Sequence, residues 1–291
     1  MSSPLPASGG PAPHEPSPLE TERRDYRRRQ QTRSVLIAAA STLVLAAVVW
    51  ATVINTEGWA AVQAFFLDPA IALKHLPKVW DGFLFNLQVL AISVVTVGVV
   101  ALTIATLRTL RGPVFFPLRV VAAAYTDFFR GMPFIIVLYL VGYGIPTILN
   151  TRIPPIVLGV IAITLSYSAY VAEVVRAGID AVHPSQRLAA RALGLGYLQT
   201  LGRIVMPQAV RKITPPLMND FLSMQKDVGL VSILGAVDAV RAAQNSAAQS
   251  YNFTPYIVAG VLFILLAIPT IRLTDWYTAR LRDREQMGSI V

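Results

Sequence analysis

SVLIAAASTLVLAAVVWATVI at residues 34–54 and LFNLQVLAISVVTVGVVALTIATL at residues 84–107 contain no Asp, Glu, Lys or Arg, and neither does the stretch 242–271. A helix needs ~20 apolar residues to cross the hydrocarbon core of a bilayer, where each backbone amide must find its partner inside the segment. All three stretches reach that length, so the chain reads as a polytopic, all-α membrane protein. Composition agrees: 54% of the 291 residues are hydrophobic and 14% charged, against roughly a quarter charged in a soluble domain. An ordinary soluble enzyme is excluded. With no cysteine, disulfides, thiol catalysis and Cys-ligated metals are excluded as well. His14, His75 and His183 lie in three separate segments, so no metal site is expected.

Outward from these stretches, the pattern suggests six spans, at 34–54, 84–107, 121–146, 156–175, 215–240 and 255–272. The first is too long for a secretory h-region of ~7–15 residues and lacks a clear cleavage site, so it is read as an uncleaved span. Residues 1–33, Pro-rich and then Arg-rich, are read as a disordered tail. Segment 55–83 carries Trp59, Phe65, Phe66 and Trp80 and is read as an interfacial amphipathic loop. The net charge of +9 suggests nucleic acid until the basic residues are sorted by side. With six spans, 19 of the 25 fall in the two terminal tails and in loops 108–119 and 176–212. By the positive-inside bias these segments, with both termini and the 276–291 tail, are cytoplasmic. The surplus is therefore a topology signal, and no nucleic-acid partner is expected.

The loop 176–212 reads RAGIDAVHPSQRLAARALGLGYLQTLGRIVMPQAVRK. Pro184 suits a first helical turn, Ser185 is a plausible N-cap, Gly194 and Gly196 break the helix, and Pro207 ends a second short one. Leu188, Ala189, Ala192, Leu193, Leu195, Leu198 and Leu201 make this connection more apolar than water alone favours, which points to a partner.

Ala189 and Ala190, Gly194, then Ile204, Met206 and Pro207 resemble the pattern EAA, three residues, G, nine residues, I-x-L-P of permease subunits of bacterial ABC importers. YTDFFRGMP at 125–133, YVAEVVRAG at 170–178 and Lys226-Asp227 with Leu230 and Gly235 are similar, in order, to boxes of the polar amino-acid permeases. So is Trp80-Asp-Gly82 before Leu87. The likeness covers about 78–275 and implies a five-helix permease core over 84–275 in a bacterial cytoplasmic membrane, with 34–54 an added N-terminal helix. It further implies that 176–212 docks on ATPase subunits, that a second permease subunit completes the path in lipid, and that an extracytoplasmic solute-binding protein delivers an amino acid. Leu188 stands where the pattern has Glu. With Ser185 as N-cap, 188 would be N3, and the missing capping-box acid would weaken the helix start by up to ~1 kcal/mol.

Charges in or beside spans cost ~2.5–3.5 kcal/mol if they face lipid, so they pair or face a cavity. Asp127 and Arg130 are spaced to pair on one helix face, with Gly131 and Pro133 making a bend, and Glu173 and Arg176 are spaced likewise. In the fifth span Asn219, Ser223 and Lys226 share a face, and Asp220 and Asp227 an adjoining one. This stripe offers both signs of charge to a zwitterion, or is an internal structural pair. Val228-Gly229 replaces the two hydroxyl residues of the family's box. The chain has no GxxxxGK[ST], and Gly194-x-Gly196 lacks a third glycine, so no cofactor is expected and ATP hydrolysis falls to a partner. A secondary transporter or channel driven by an ion gradient is the alternative, and another small polar or zwitterionic solute the alternative substrate.

Overall fold

In a computed structural model of the chain, residues 17–110 and 112–288 are described, and every regular element among them is helical. One unit ends at Val62 and the other starts at Gln63.

The first unit is built on α1 (Pro18–Ile54). Its apolar window over Tyr26–Ile54 has no buried residue, as expected for a helix that faces lipid. Its hydroxyls are satisfied within the helix: Thr42 donates to the Ala38 carbonyl and Thr52 to that of Val48, both at 2.7 Å. Hydroxyls that bond back one turn add little cost in hydrocarbon. α1 starts inside the stretch expected as a disordered tail, so residues 18–33 are helical, while 1–16 lie outside the described residues. The 55–83 segment is not a loop either: α2 (Glu57–Phe66) occupies part of it and α3 (Pro69–Thr109) begins within it.

In the second unit α3 has 41 residues, about 60 Å of helix. Asp68 caps it, accepting from the amides of Ala70 and Ile71 at 2.9 and 3.2 Å, with Pro69 as the first helical residue, where a missing N–H costs nothing. Next come α4 (Phe116–Gly131), α5 (Phe134–Tyr139), a π turn over Leu140–Gly144 and α6 (Ile145–Leu149). The expected span 121–146 is therefore broken. Phe116–Gly131 and Phe134–Leu149 meet at 107°, because Pro133 has no N–H and Met132 before it is held extended at φ −97°, ψ 130°.

α7 (Pro155–Asp180) lies at the centre and packs most extensively on α3. Val89, Leu90 and Val97 of α3 meet Ile163 and Tyr167 of α7, and Met224 of α10 closes the cluster. Gly178 lets α10 approach, since the Ile213 methyl occupies the place a Cβ would take. After α8 (Pro184–Ala192) and α9 (Tyr197–Thr200), a π turn at Leu201–Val205 leads into α10 (Met206–Asp227). Pro207 thus starts a helix instead of ending one. The wider turn before it accommodates a residue that cannot bond to the carbonyl four back.

α10 ends at Asp227 and passes through a 3-10 segment, Val228–Leu234, to Gly235 at φ 85°. The fifth span expected at 215–240 does not exist as one helix, and Lys226 and Asp227 lie at a helix end, not mid-span. α11 (Ala239–Ser250) and α12 (Thr254–Gly288) complete the unit, with α12 running through the expected tail. Among the described residues four helices are long and apolar enough to cross a membrane, five with the bent pair. The expected six is not reached, because α10 carries Arg211, Lys212, Asp220, Lys226 and Asp227 in place of an apolar run.

Candidate functional site: two ends and a polar cavity

A buried polar knot holds the break after α10. Asn86 of α3 donates to the Val228 carbonyl at 2.8 Å and to Asp238 at 3.2 Å, and accepts from the Ala239 amide at 3.0 Å. Asp238 caps α11 through the Arg241 amide at 2.9 Å and also takes the Ser232 amide at 3.2 Å. Both side chains are 0% exposed. Sequence reasoning missed this knot by absorbing residue 238 into a span. The available signal was an Asp three residues past Gly235, before an Ala-rich run.

Beneath the knot, Asp220, Ser223 and Asp227 of α10 line a cavity of about 240 Å³ with Ser166, Tyr167 and Tyr170 of α7. The bend contributes Met132 and Phe134. Tyr167 donates to Asp227 at 2.7 Å, whereas Asp220 Oδ2 and Ser166 Oγ are buried without a partner. A buried carboxylate oxygen with no donor costs several kcal/mol unless something binds it. Of the expected stripe, Asp220, Ser223 and Asp227 come together. Asn219 and Lys226 are exposed and line no part of this cavity. The interval of three from 220 to 223 puts Ser223 with the carboxylates. Tyr167, the residue that fills the opposite wall, had no signal in the α10 pattern.

Farther along α7, Glu173 gathers charge. It accepts from Arg108 at 2.6 Å and from Arg176 at 2.5 Å, with Arg130 3.9 Å away, and Arg176 also bonds Asp180 at 2.8 Å. Asp127 is exposed and makes no ion pair among the described residues, so the expected Asp127–Arg130 pair does not form. The bend at Met132 carries Arg130 towards α7, where the Tyr170 hydroxyl donates to its carbonyl at 3.2 Å.

At this end α8 and α9 form the helix–turn–helix. Its cap differs from expectation: His183 is the N-cap, its Nδ1 accepting from the Ser185 amide at 3.2 Å. Ser185 is thus N2 and Leu188 lies beyond N3, which removes the capping-box penalty at 188, because Pro184 sets the first turn one pair of residues earlier. Gly194 turns the chain at φ 77°, a conformation that disfavours a Cβ. Ala190 is buried, while Ala189 is exposed and Leu188, Leu193 and Leu198 are 66%, 81% and 78% exposed. Ile204 and Met206 are half-buried and Pro207 exposed.

A helical membrane protein with a polar cavity inside its bundle and an exposed apolar helix pair at one end is a transport component that works with other subunits. Residues 113–283, more than half of the chain, match the family model of the binding-protein-dependent transport system inner membrane component. The arginine transport system permease protein ArtQ of Bacillus subtilis (strain 168) is 31% identical over 206 residues, 69% of this chain and 91% of that protein. The putative glutamine transport system permease protein GlnP of Rickettsia prowazekii (strain Madrid E) is 34% identical over 200 residues, 67% and 90% of the two chains. A crystal structure of an amino acid ABC transporter with histidines matches with a TM-score of 0.68 and 31% identity, covering 74% of this chain and 99% of that one. An inward-facing methionine transporter structure, MetNI, shares the fold at a TM-score of 0.56 and 20% identity. The chain belongs to the family of binding-protein-dependent transport system inner membrane components. It is a multi-pass inner membrane permease subunit of an ABC importer, a family in which the ATPase is a separate partner.

Proposed function

We propose that this subunit carries a polar amino acid past Asp220, Ser223 and Asp227 and takes its driving motion from an ATPase seated on α8 and α9. The observation that carries the substrate reading is the unpartnered Asp220 oxygen beside Asp227 in one cavity. Two carboxylates, two serines and two tyrosines suit ammonium, amide or guanidinium donors and leave an apolar solute unsatisfied. The names of relatives, arginine for one and glutamine for another, fit donors of that kind. In this reading Asp220 and Asp227 receive the substrate's nitrogen donors, and Tyr167 orients Asp227.

Exposed Leu188, Leu193 and Leu198 support the docking reading, because three large apolar side chains on a short helix pair beyond the spans lack cover of their own. The basic residues clustered at the same end support a cytoplasmic placement of this face and of both termini. A second permease subunit then closes the cavity's open side, and the solute-binding protein meets the end that holds the Asp238 knot. ATP is hydrolysed in the partner, and this chain holds no cofactor of its own.

The test is uptake of labelled arginine and of labelled glutamine into proteoliposomes holding the chain with its ATPase and binding protein. Uptake of one or both that requires ATP and both partners is expected. Uptake by this chain alone, driven by an ion gradient, contradicts the proposal.

A further inference from the structure

Where α3 and α7 end, at Thr109 and Asp180, a cavity of about 560 Å³ opens between the bundle and α8–α9. It is lined by Arg108, Arg119, Arg176, Arg187 and Arg191, with Asp180 the one carboxylate among its lining residues. Two of these arginines are neutralised: Arg108 by Glu173, and Arg176 by Glu173 and Asp180. Three are not. Among the described residues Arg119 donates to the carbonyls of Leu110 and Gly112, at 2.8 and 3.2 Å, and to no carboxylate. Arg187 donates to the Ile179 carbonyl at 2.6 Å, and its Nε is buried without an acceptor. Arg191 has no partner among the described residues. Leu188, where the family pattern has Glu, lines the same cavity and adds no acid.

We propose that this cavity binds a phosphate group. Carbonyl contacts hold two guanidinium forks in place without cancelling their charge, and a guanidinium fork matches phosphate oxygens in geometry as well as sign. Depth points to the source. Arg108, Arg119 and Arg176 sit at the ends of helices long and apolar enough to cross a membrane, alone or as the bent pair, the level of lipid headgroups, where an anionic leaflet attracts basic residues by about 1 kcal/mol each. Arg187 and Arg191 of α8 line the same cavity. Leu110 and Leu201 in the wall suit the glycerol and first methylenes of a phospholipid. An anionic phospholipid headgroup therefore occupies the site, and a soluble phosphate offers the same chemistry.

The full chain, purified in detergent and stripped of lipid, is titrated with phosphatidylglycerol, with phosphatidylcholine and with inorganic phosphate, bound ligand being counted by native mass spectrometry. Phosphatidylglycerol is expected to bind well above phosphatidylcholine. Arg191→Gln and Arg119→Gln should each weaken that binding about tenfold, the loss of one charge-assisted contact. Arg203→Gln, an exposed arginine outside the cavity, should bind as wild type. Should inorganic phosphate bind with the same dependence on Arg191 and Arg119 while phosphatidylglycerol shows no advantage over phosphatidylcholine, the site holds and its ligand is the soluble ion. Absence of binding by both phosphatidylglycerol and inorganic phosphate, wild-type affinity in both cavity variants, or an equal loss in Arg203→Gln overturns the proposal. The Arg191 side chain makes no hydrogen bond or ion pair among the described residues, so its variant stays interpretable if Arg119→Gln misfolds.

Discussion

Glu173 and Asp220 are both carboxylates facing the interior of one bundle, yet they are furnished in opposite ways. Glu173 has guanidinium donors at 2.5 and 2.6 Å and a third arginine at 3.9 Å. Asp220 has an oxygen buried without a hydrogen-bond donor among the described residues, and its neighbour Asp227 has Tyr167. A carboxylate saturated by its own chain has nothing left to offer a ligand and serves to hold helices together. One left short is destabilising alone and becomes favourable when a cation or amide arrives. In the proposed function the first therefore serves structure and the second transport.

The largest effect is expected at the cavity. Asp220→Asn and Asp227→Asn each remove a charge that the proposed function gives to the substrate, so uptake should fall by about 30-fold or more, since truncating a buried charged contact costs ~2–5 kcal/mol. The thermal midpoint should hold or rise. Normal uptake in both variants would move the path elsewhere. At the other carboxylate the readouts reverse: Glu173→Gln should destabilise the protein by ~3 kcal/mol, leaving Arg108, 15% exposed, without its counter-charge. Denaturation in detergent would detect this, and unchanged stability would show the node to be idle.

A smaller effect of the same kind is expected on the face of α7 that meets α10. Gly178→Ala places a methyl where the Ile213 side chain sits and should cost ~1–3 kcal/mol by overpacking, with partial recovery in Gly178→Ala/Ile213→Leu, which lacks the branch at Cβ that stands in the way. Smallest is Tyr167→Phe, which removes one hydrogen bond to Asp227. Uptake should drop several-fold, for a contact of ~1 kcal/mol, and stability should barely move.

Much of this arrangement was legible in the sequence where it depends on neighbours along the chain. Apolar length announced α1, α3 and α12, glycines at 194 and 196 marked the turn between α8 and α9, and the interval of three joined Glu173 to Arg176. Periodicity reports which residues share a face, but not what stands opposite. Arg108 reaches Glu173 across 65 residues and Asn86 reaches Asp238 across 152, pairings that depend on how α3 lies against α7 and α11. The same limit hid Tyr167 opposite Asp227. At residue 227 the apolar run continues through Val228–Leu234, so composition ran past a break that Gly235 and the Asp238 cap impose. The bend at Pro133 was readable, but its consequence, Arg130 turning from Asp127 towards Glu173, required the fold.

In the proposed function α8 and α9 seat the ATPase through side chains the bundle does not need. Leu193 and Leu198 are 81% and 78% exposed, so Leu193→Asp/Leu198→Asp should fold as the parent does. Copurification of the ATPase with the parent and with this variant, in the same detergent, measures this docking directly. The parent should retain the ATPase and the variant should lose at least nine-tenths of it while keeping its own thermal midpoint. Equal retention by both would contradict docking on this face.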